Sequence, residues 1–121
     1  MAAPNLVNVS SIYGKTVGAD LTTSDADWVT CAAEKLIKVN SIIVSNIDGT
    51  NNVDVTIKWY DASSSASWHL CKTVLVPADS TLVVVGKDAP IYLEEGDRIR
   101  GLASAASDAQ VTVSYEELDD A

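Results

Sequence analysis

Val53-Asp54-Val55-Thr56-Ile57-Lys58-Trp59-Tyr60 decides the fold class. Val53, Val55, Ile57 and Trp59 fall in one phase, and Asp54, Thr56 and Lys58 in the other. Successive side chains of a strand point to opposite sides, so an apolar period of two marks a strand with one buried face. Val55 and Ile57 are therefore expected inside, with Thr56 and Lys58 outside. Upstream, Lys35 to Ile47 is rich in Ile and Val, but its phase changes: Ile37 and Val39 share one register, Ile42 and Val44 the other. A bulge near Asn40-Ser41 reconciles the two halves; a strand buried on both faces serves equally well. Between the two runs, Asp48-Gly49 and Asn51-Asn52 supply residues that tolerate positive φ, the chemistry of a hairpin loop.

Working outward, Asp61 to Ser67 is a small, polar loop with nothing to bury, and Trp68 to Val76 reads as a strand stopped by Pro77-Ala78-Asp79-Ser80. Thr81 to Val85 is the next strand, broken by Gly86-Lys87-Asp88-Ala89-Pro90. Ile91-Tyr92-Leu93 and Arg98 to Ser104 flank Glu94-Glu95-Gly96-Asp97, a tight turn with Gly where the backbone reverses. The last strand, Gln110 to Glu116, turns Val111, Val113 and Tyr115 inward, and Glu116-Glu117-Leu118-Asp119-Asp120 is expected as a solvated acidic end. Short strands at regular spacing predict an all-β fold, an antiparallel β-sandwich or jelly roll. Residues 1–24 are less apolar, rich in Ser and Thr, and form an N-terminal arm or peripheral strand; residues 25–121 form the sandwich domain.

A length of 121 residues suits one domain, and the 47% of hydrophobic residues allow a packed core. Eight basic against 17 acidic residues give a formal net charge of −9. Nucleic-acid binders gain affinity by releasing phosphate counterions to clustered Lys and Arg, and here the basic residues are scattered. Only Arg98 and Arg100 sit close, with Asp97 beside them. Neither nucleic acid nor an anionic membrane is an expected partner. The N-terminus lacks the basic and apolar regions of a signal peptide, so Cys31 and Cys71 are expected as free, largely buried thiols in a reducing compartment.

No catalytic set emerges. His69 is the sole histidine, and it sits between Trp68 and Leu70 as a strand residue without a matching nucleophile and acid. The serines form no Gly-x-Ser-x-Gly elbow, and no phosphate-cradling glycine loop is present. Asp25, Asp27, Glu94, Glu95 and Asp97 are oxygen donors for calcium in principle, yet their spacing is not that of an EF-hand. Acidic turns are ordinary in so acidic a chain. The expectation is no enzyme, no cofactor and no metal. Trp28, Trp59, Trp68 and Tyr60 are the aromatics that could stack on a sugar, but Trp59 is in phase with core valines.

Interaction residues are the more promising class. Leu6, Val7, Val9, Ile12 and Tyr13 are apolar residues in an otherwise polar N-terminal stretch and need a surface to bury on; Trp28 and Trp68 are aromatics of the kind that mark protein contacts. They are the candidate partner-binding residues.

Several of these stretches resemble small virion proteins of tailed bacteriophages, notably those of cyanobacteria. The similarity runs through Asn5-Leu6-Val7-Asn8-Val9, Ile12-Tyr13-Gly14-Lys15-Thr16, and Lys38-Val39-Asn40-Ser41-Ile42-Ile43-Val44-Ser45-Asn46. It continues in Val76-Pro77-Ala78-Asp79-Ser80-Thr81-Leu82, Ile91-Tyr92-Leu93-Glu94-Glu95-Gly96-Asp97 and Val113-Ser114-Tyr115-Glu116-Glu117. The resemblance implies a virion structural protein, assembled in the host cytoplasm, whose β-sandwich decorates or cements the capsid. It implies the major capsid protein or other virion proteins as partners, and a homo-oligomer, most simply a trimer, on a capsid symmetry axis. It carries over no functional residue, because its motifs are turns and strands. A tail, neck or baseplate component (a fibre adaptor, for example) and a glycan-binding host-recognition module are the alternatives.

Overall fold

The structure is a computed structural model that describes residues 6–7 and 9–119. Expectations for residues 1–5, Asn8 and Asp120 lie outside the described residues. The chain is all-β, as the Val53–Tyr60 pattern predicts. Its strands are β1 (Ser11–Asp20), β2 (Ala26–Thr30), β3 (Lys35–Asn46), β4 (Val53–Asp61) and β5 (Ala66–Val76), followed by β6 (Thr81–Val85), β7 (Ile91–Leu93), β8 (Arg98–Ala103) and β9 (Ala109–Asp119). Sheet A has the order β1-β9-β3-β6, with β7 also on β3; sheet B has the order β2-β8-β4-β5.

This interleaving follows from a single long ribbon. The first half of the chain pairs antiparallel with the returning second half: β4 with β5, β3 with β6 and then β7, β2 with β8, and β1 with β9. Rolled up, the ribbon brings β9 against β3 and β8 against β4, which closes the two sheets. That is the jelly-roll arrangement. β6 and β7 share one ribbon position because Gly86–Pro90 breaks the strand, and β3 is long enough to host them in succession.

The phase change in β3 is resolved by a bulge. Its register against β9 shifts between Val39 and Ser41, leaving Asn40 as the extra residue. Ile37, Val39, Ile42 and Val44 consequently all face inward and are fully buried. They pack against Val53, Val55, Ile57 and Ile99 of the opposing sheet in one apolar cluster. Burying each such side chain contributes about 1.5–3 kcal/mol, and that is the main driving force for closing the two sheets.

Two local expectations change. Thr56 points outward but is buried, because its Oγ1 accepts a hydrogen bond from the Thr73 backbone N–H (3.0 Å) where β5 bulges over it. Thr73 there adopts φ 48°. Lys58 does lie outside, in an ion pair with Asp25. The acidic C-terminal stretch is not a solvated end: β9 runs to Asp119, Leu118 is buried, Lys15 pairs with Glu117 (3.0 Å), and Lys35 pairs with Asp119. Lysines on both neighbouring strands neutralise the carboxylates that composition alone leaves unpaired. Residues 11–20, within the stretch expected as an arm or peripheral strand, form the edge strand β1 in unbroken register with β9, and Leu21 just beyond is fully buried.

Loops are tied down by side chains. Buried Asn46 donates to the carbonyls of Asn51 (2.9 Å) and Val76 (3.0 Å) and accepts from the Asp48 N–H (2.9 Å). In the hairpin itself, Asp48 accepts from Thr50 (2.8 Å) and Asn51 (3.1 Å), the side-chain mimicry of a turn expected from Asp-Gly followed by Asn-Asn. Gly96 takes φ 85°, as the Glu94–Asp97 turn requires.

Candidate interaction surfaces

The outer face of sheet B is charged and built from three strands. Arg98 and Arg100 lie two apart on β8, so both side chains leave the same face. Asp27 of β2 receives Nη1 of Arg98 (3.0 Å) and Nε of Arg100 (2.8 Å). Tyr60 of β4 lies under both guanidinium groups, its centroid 5.2 Å from Arg98 Cζ and 4.5 Å from Arg100 Cζ. Tyr60 and Arg98 face each other in register, as do Lys58 and Arg100. Asp27, not the adjacent Asp97, balances the two arginines. The sequence signal was available: Lys58 and Tyr60 share the outward phase of β4, and Arg98 and Arg100 share that of β8.

The acidic residues considered as calcium ligands are engaged elsewhere. Asp25 pairs with Lys58, and Asp27 with the two arginines. Glu95 accepts from the Glu34 N–H (3.0 Å). Asp97 is buried and accepts from the N–H groups of Ala62 (3.0 Å) and Glu94 (3.0 Å), so it holds the turn and the β4–β5 loop together. Among the described residues, no three His, Cys, Asp or Glu side chains come together as a metal site, and no pocket opens.

Both cysteines are free thiols. Cys31 is buried, and its Sγ donates to the Lys35 carbonyl (3.3 Å). Burial pushes its thiol up to about 11, with the Asp97 and Glu117 carboxylates adding to the shift. Cys71 is half-buried in β5 and is raised by burial too. His69 is exposed on β5, opposite Lys58.

The candidate partner-binding residues do not form one patch. Leu6, Val7, Ile12 and Tyr13 are exposed, and Val9 is half-buried. Ile12 and Tyr13 are consecutive on β1 and point to opposite faces of sheet A. Trp28, on β2, packs against the core. Trp68 is 56% exposed on β5, opposite Trp59 in register. β1 lies over β2 and β5 over β6, so Trp68 sits on the flank of the sandwich away from Ile12 and Tyr13.

The outer face of sheet A carries fewer charges than that of sheet B. Across it run Gly18, Thr112, Ile43 and Val83 in one register row, and Thr16, Ser114 and Ser41 in the next. Near one end, Ile12, Leu118 and Leu36 stand side by side on β1, β9 and β3. Leu36 and Leu118 are buried although they face away from the core, while Ile12 is 59% exposed. Val83 and Tyr92 add exposed apolar surface at the β6–β7 side. Sequence reading passes over Val83 and Tyr92 because each alternates within an otherwise ordinary strand.

No known protein-family model matches the chain, and no curated protein matches it. Among solved structures, it is similar to a chain of Bacillus endospore appendages, which form disulfide-linked pili. The two share 17% sequence identity and superpose with a TM-score of 0.56 over 100% of both chains. That likeness is one of fold.

Proposed function

We propose that this chain is a non-catalytic structural protein of a phage virion, most simply a capsid decoration (cement) protein that binds the capsid surface and reinforces it. Its partners are the major capsid protein or other virion proteins, and copies of itself, with a trimer the form that a three-fold capsid seat calls for. The observation that carries the reading is the placement of exposed apolar side chains. Ile12, Tyr13, Trp68, Val83 and Tyr92 stand on strands of a two-sheet body, not on loops. Apolar groups fixed on a rigid sheet contribute contact area without the entropic cost of ordering a loop. The phage-protein resemblance of the chain points the same way. The structural neighbour adds that a jelly roll of this length serves as a subunit of pili. A disulfide link of the pilus kind would need an accessible thiol, and neither Cys31 nor Cys71 is exposed here.

Copy number in purified particles tests the proposal. A decoration protein is present in hundreds of copies and binds capsids stripped of it; a tail, neck or baseplate component is present in a handful. Absence from particles, combined with saturable binding to an oligosaccharide, would replace the reading with that of a glycan-binding module.

A further inference from the structure

A two-sheet sandwich has four sheet edges, and unpaired edge strands template further pairing unless they are blunted. Three edges of this molecule are interrupted. β2 is five residues long and loses register between Asp27 and Val29. β5 shifts register twice against β4. The far side of sheet A is divided between β6 and β7. β1 differs: Ser11–Asp20 pairs with β9 residue for residue, contains no proline, and has no described strand on its other side.

The direction of its free hydrogen-bonding groups can be read. The Leu21 N–H donates to the Ala109 carbonyl (2.9 Å), in continuation of the β1–β9 register. Antiparallel pairing alternates, so the odd-numbered residues of β1 bond β9, while Ile12, Gly14, Thr16 and Gly18 aim N–H and C=O at the open edge. A lysine on an edge strand usually guards it. Here Lys15 is drawn to Glu117 (3.0 Å), and the Thr16 hydroxyl lies 3.2 Å from that of Ser114, so both side chains are held against their own sheet.

We propose that β1 is a self-association edge, to which β1 of a second copy of this chain adds antiparallel across a two-fold axis perpendicular to sheet A. The inference rests on the self-association in the proposed function, not on the virion location. Charge favours a second copy at this edge. The chain carries −9, yet within Ser11–Asp20 the charges are Lys15 and Asp20, which cancel. The strand also suits itself. Residues facing each other across such an axis must lie on the same face, so the axis passes through a residue. At Lys15 it would set two lysines opposite each other, which is unfavourable. At Thr16 it sets Thr16 against Thr16, Gly14 against Gly18, Tyr13 against Ala19 and Lys15 against Val17. That register keeps the longest overlap without facing like charges. Backbone hydrogen bonds then join the two sheets A into one continuous sheet.

Such an edge links two chains or, where a trimer forms through another surface, two trimers; blocking it halves the mass in either case. The test is the mass of the full chain in solution over a range of concentration, for wild type, Thr16→Lys and Thr16→Pro. Neither substitution removes a backbone bond to β9, because the Thr16 N–H faces the open edge; each removes only the exposed hydroxyl contact with Ser114. The expected result is a two-fold fall in mass for both variants, with circular dichroism unchanged. Thr16→Cys should form an intermolecular disulfide on mild oxidation, whereas Thr112→Cys, on the same face but one strand inside, should not. If Thr16→Pro fails to fold, Thr16→Lys decides. A folded Thr16→Lys that retains the wild-type mass, or a wild type that stays monomeric at every concentration, overturns the inference. Capsid binding is measured separately: a Thr16→Lys chain of half mass that still binds capsids supports the edge and leaves the virion reading intact, whereas a protein that pairs through β1 but never binds capsids loses only the latter.

Discussion

The ring edge of Trp28 occupies the space that a side chain at Gly101 would fill: a Cβ there would stand 2.7 Å from Trp28 Cη2. It would also stand 2.2 Å from the Thr56 carbonyl oxygen on the neighbouring strand. β2 is thus locked onto β8 by a missing side chain, and Trp28 serves as a packing residue before it serves any partner.

Gly101→Ala is expected to destabilise by about 3 kcal/mol, at the upper end of the usual overpacking range, because one of the two obstacles is backbone and cannot turn aside. Adding Trp28→Phe should recover little of the loss, since the closer contact, with Thr56, remains. Urea midpoints of the two variants give the comparison. Full recovery in the double variant would show that the indole, not the carbonyl, sets the limit.

Ile57→Ala should cost about 2–5 kcal/mol, the range for emptying a fully buried aliphatic site. Ile57 is 0% exposed and central to the apolar cluster. Lys58→Ala, beside it, removes an exposed ion pair with Asp25 and should change stability by no more than about 1 kcal/mol. Equal effects at the two positions would contradict the register of β4.

Asp97→Ala leaves the N–H groups of Ala62 and Glu94 without their acceptor. A fully buried donor left unmet costs about 1–3 kcal/mol; these two are partly buried, so the change should cost about 1–3 kcal/mol in all. Asp27→Ala, which frees two partly exposed arginines, should be much milder. Thermal unfolding of the pair separates a carboxylate that holds a turn from one that balances surface charge.

Cys31 should react slowly with thiol reagents in the folded chain and quickly in denaturant. With the thiol raised to about 11, the thiolate fraction at pH 8 is on the order of one in a thousand, before access is considered. The sign for stability follows from the same shift. Folded Cys31 keeps a proton that the unfolded chain releases above its ordinary value of 9.0. Its contribution is therefore fully present below pH 9 and is lost as the pH rises from there through about 11. Unfolding midpoints of wild type and Cys31→Ala across that window should converge as the pH rises.

Trp68 should be the tryptophan most open to acrylamide quenching, and Trp28 and Trp59 the protected ones, in chains that retain a single tryptophan. Trp68 is exposed, while the other two pack against the core. Protection of Trp68 only at high protein concentration would place it in a contact between copies.

The local pattern of the chain determined its strands from β3 onward. The alternation of Val53–Tyr60, the phase change at Asn40, the Asp48–Asn52 hairpin and the Gly96 turn are each written within a few residues, because side-chain direction in a strand has period two and turns need particular φ values. β1 and β2 are less legible. Gly14, Gly18 and a run of polar residues dilute the period in β1, and a bulge in β2 hides Trp28 and Val29. What holds them is β9 and β8, far along the chain. Only the tertiary structure could bring Asp27 to Arg98 and Arg100, Lys15 and Lys35 to the acidic end of β9, and Leu36 beside Leu118. These pairings depend on which strands become neighbours when the ribbon rolls up, and strand order is set by the global burial of both apolar faces, which no local window of sequence contains.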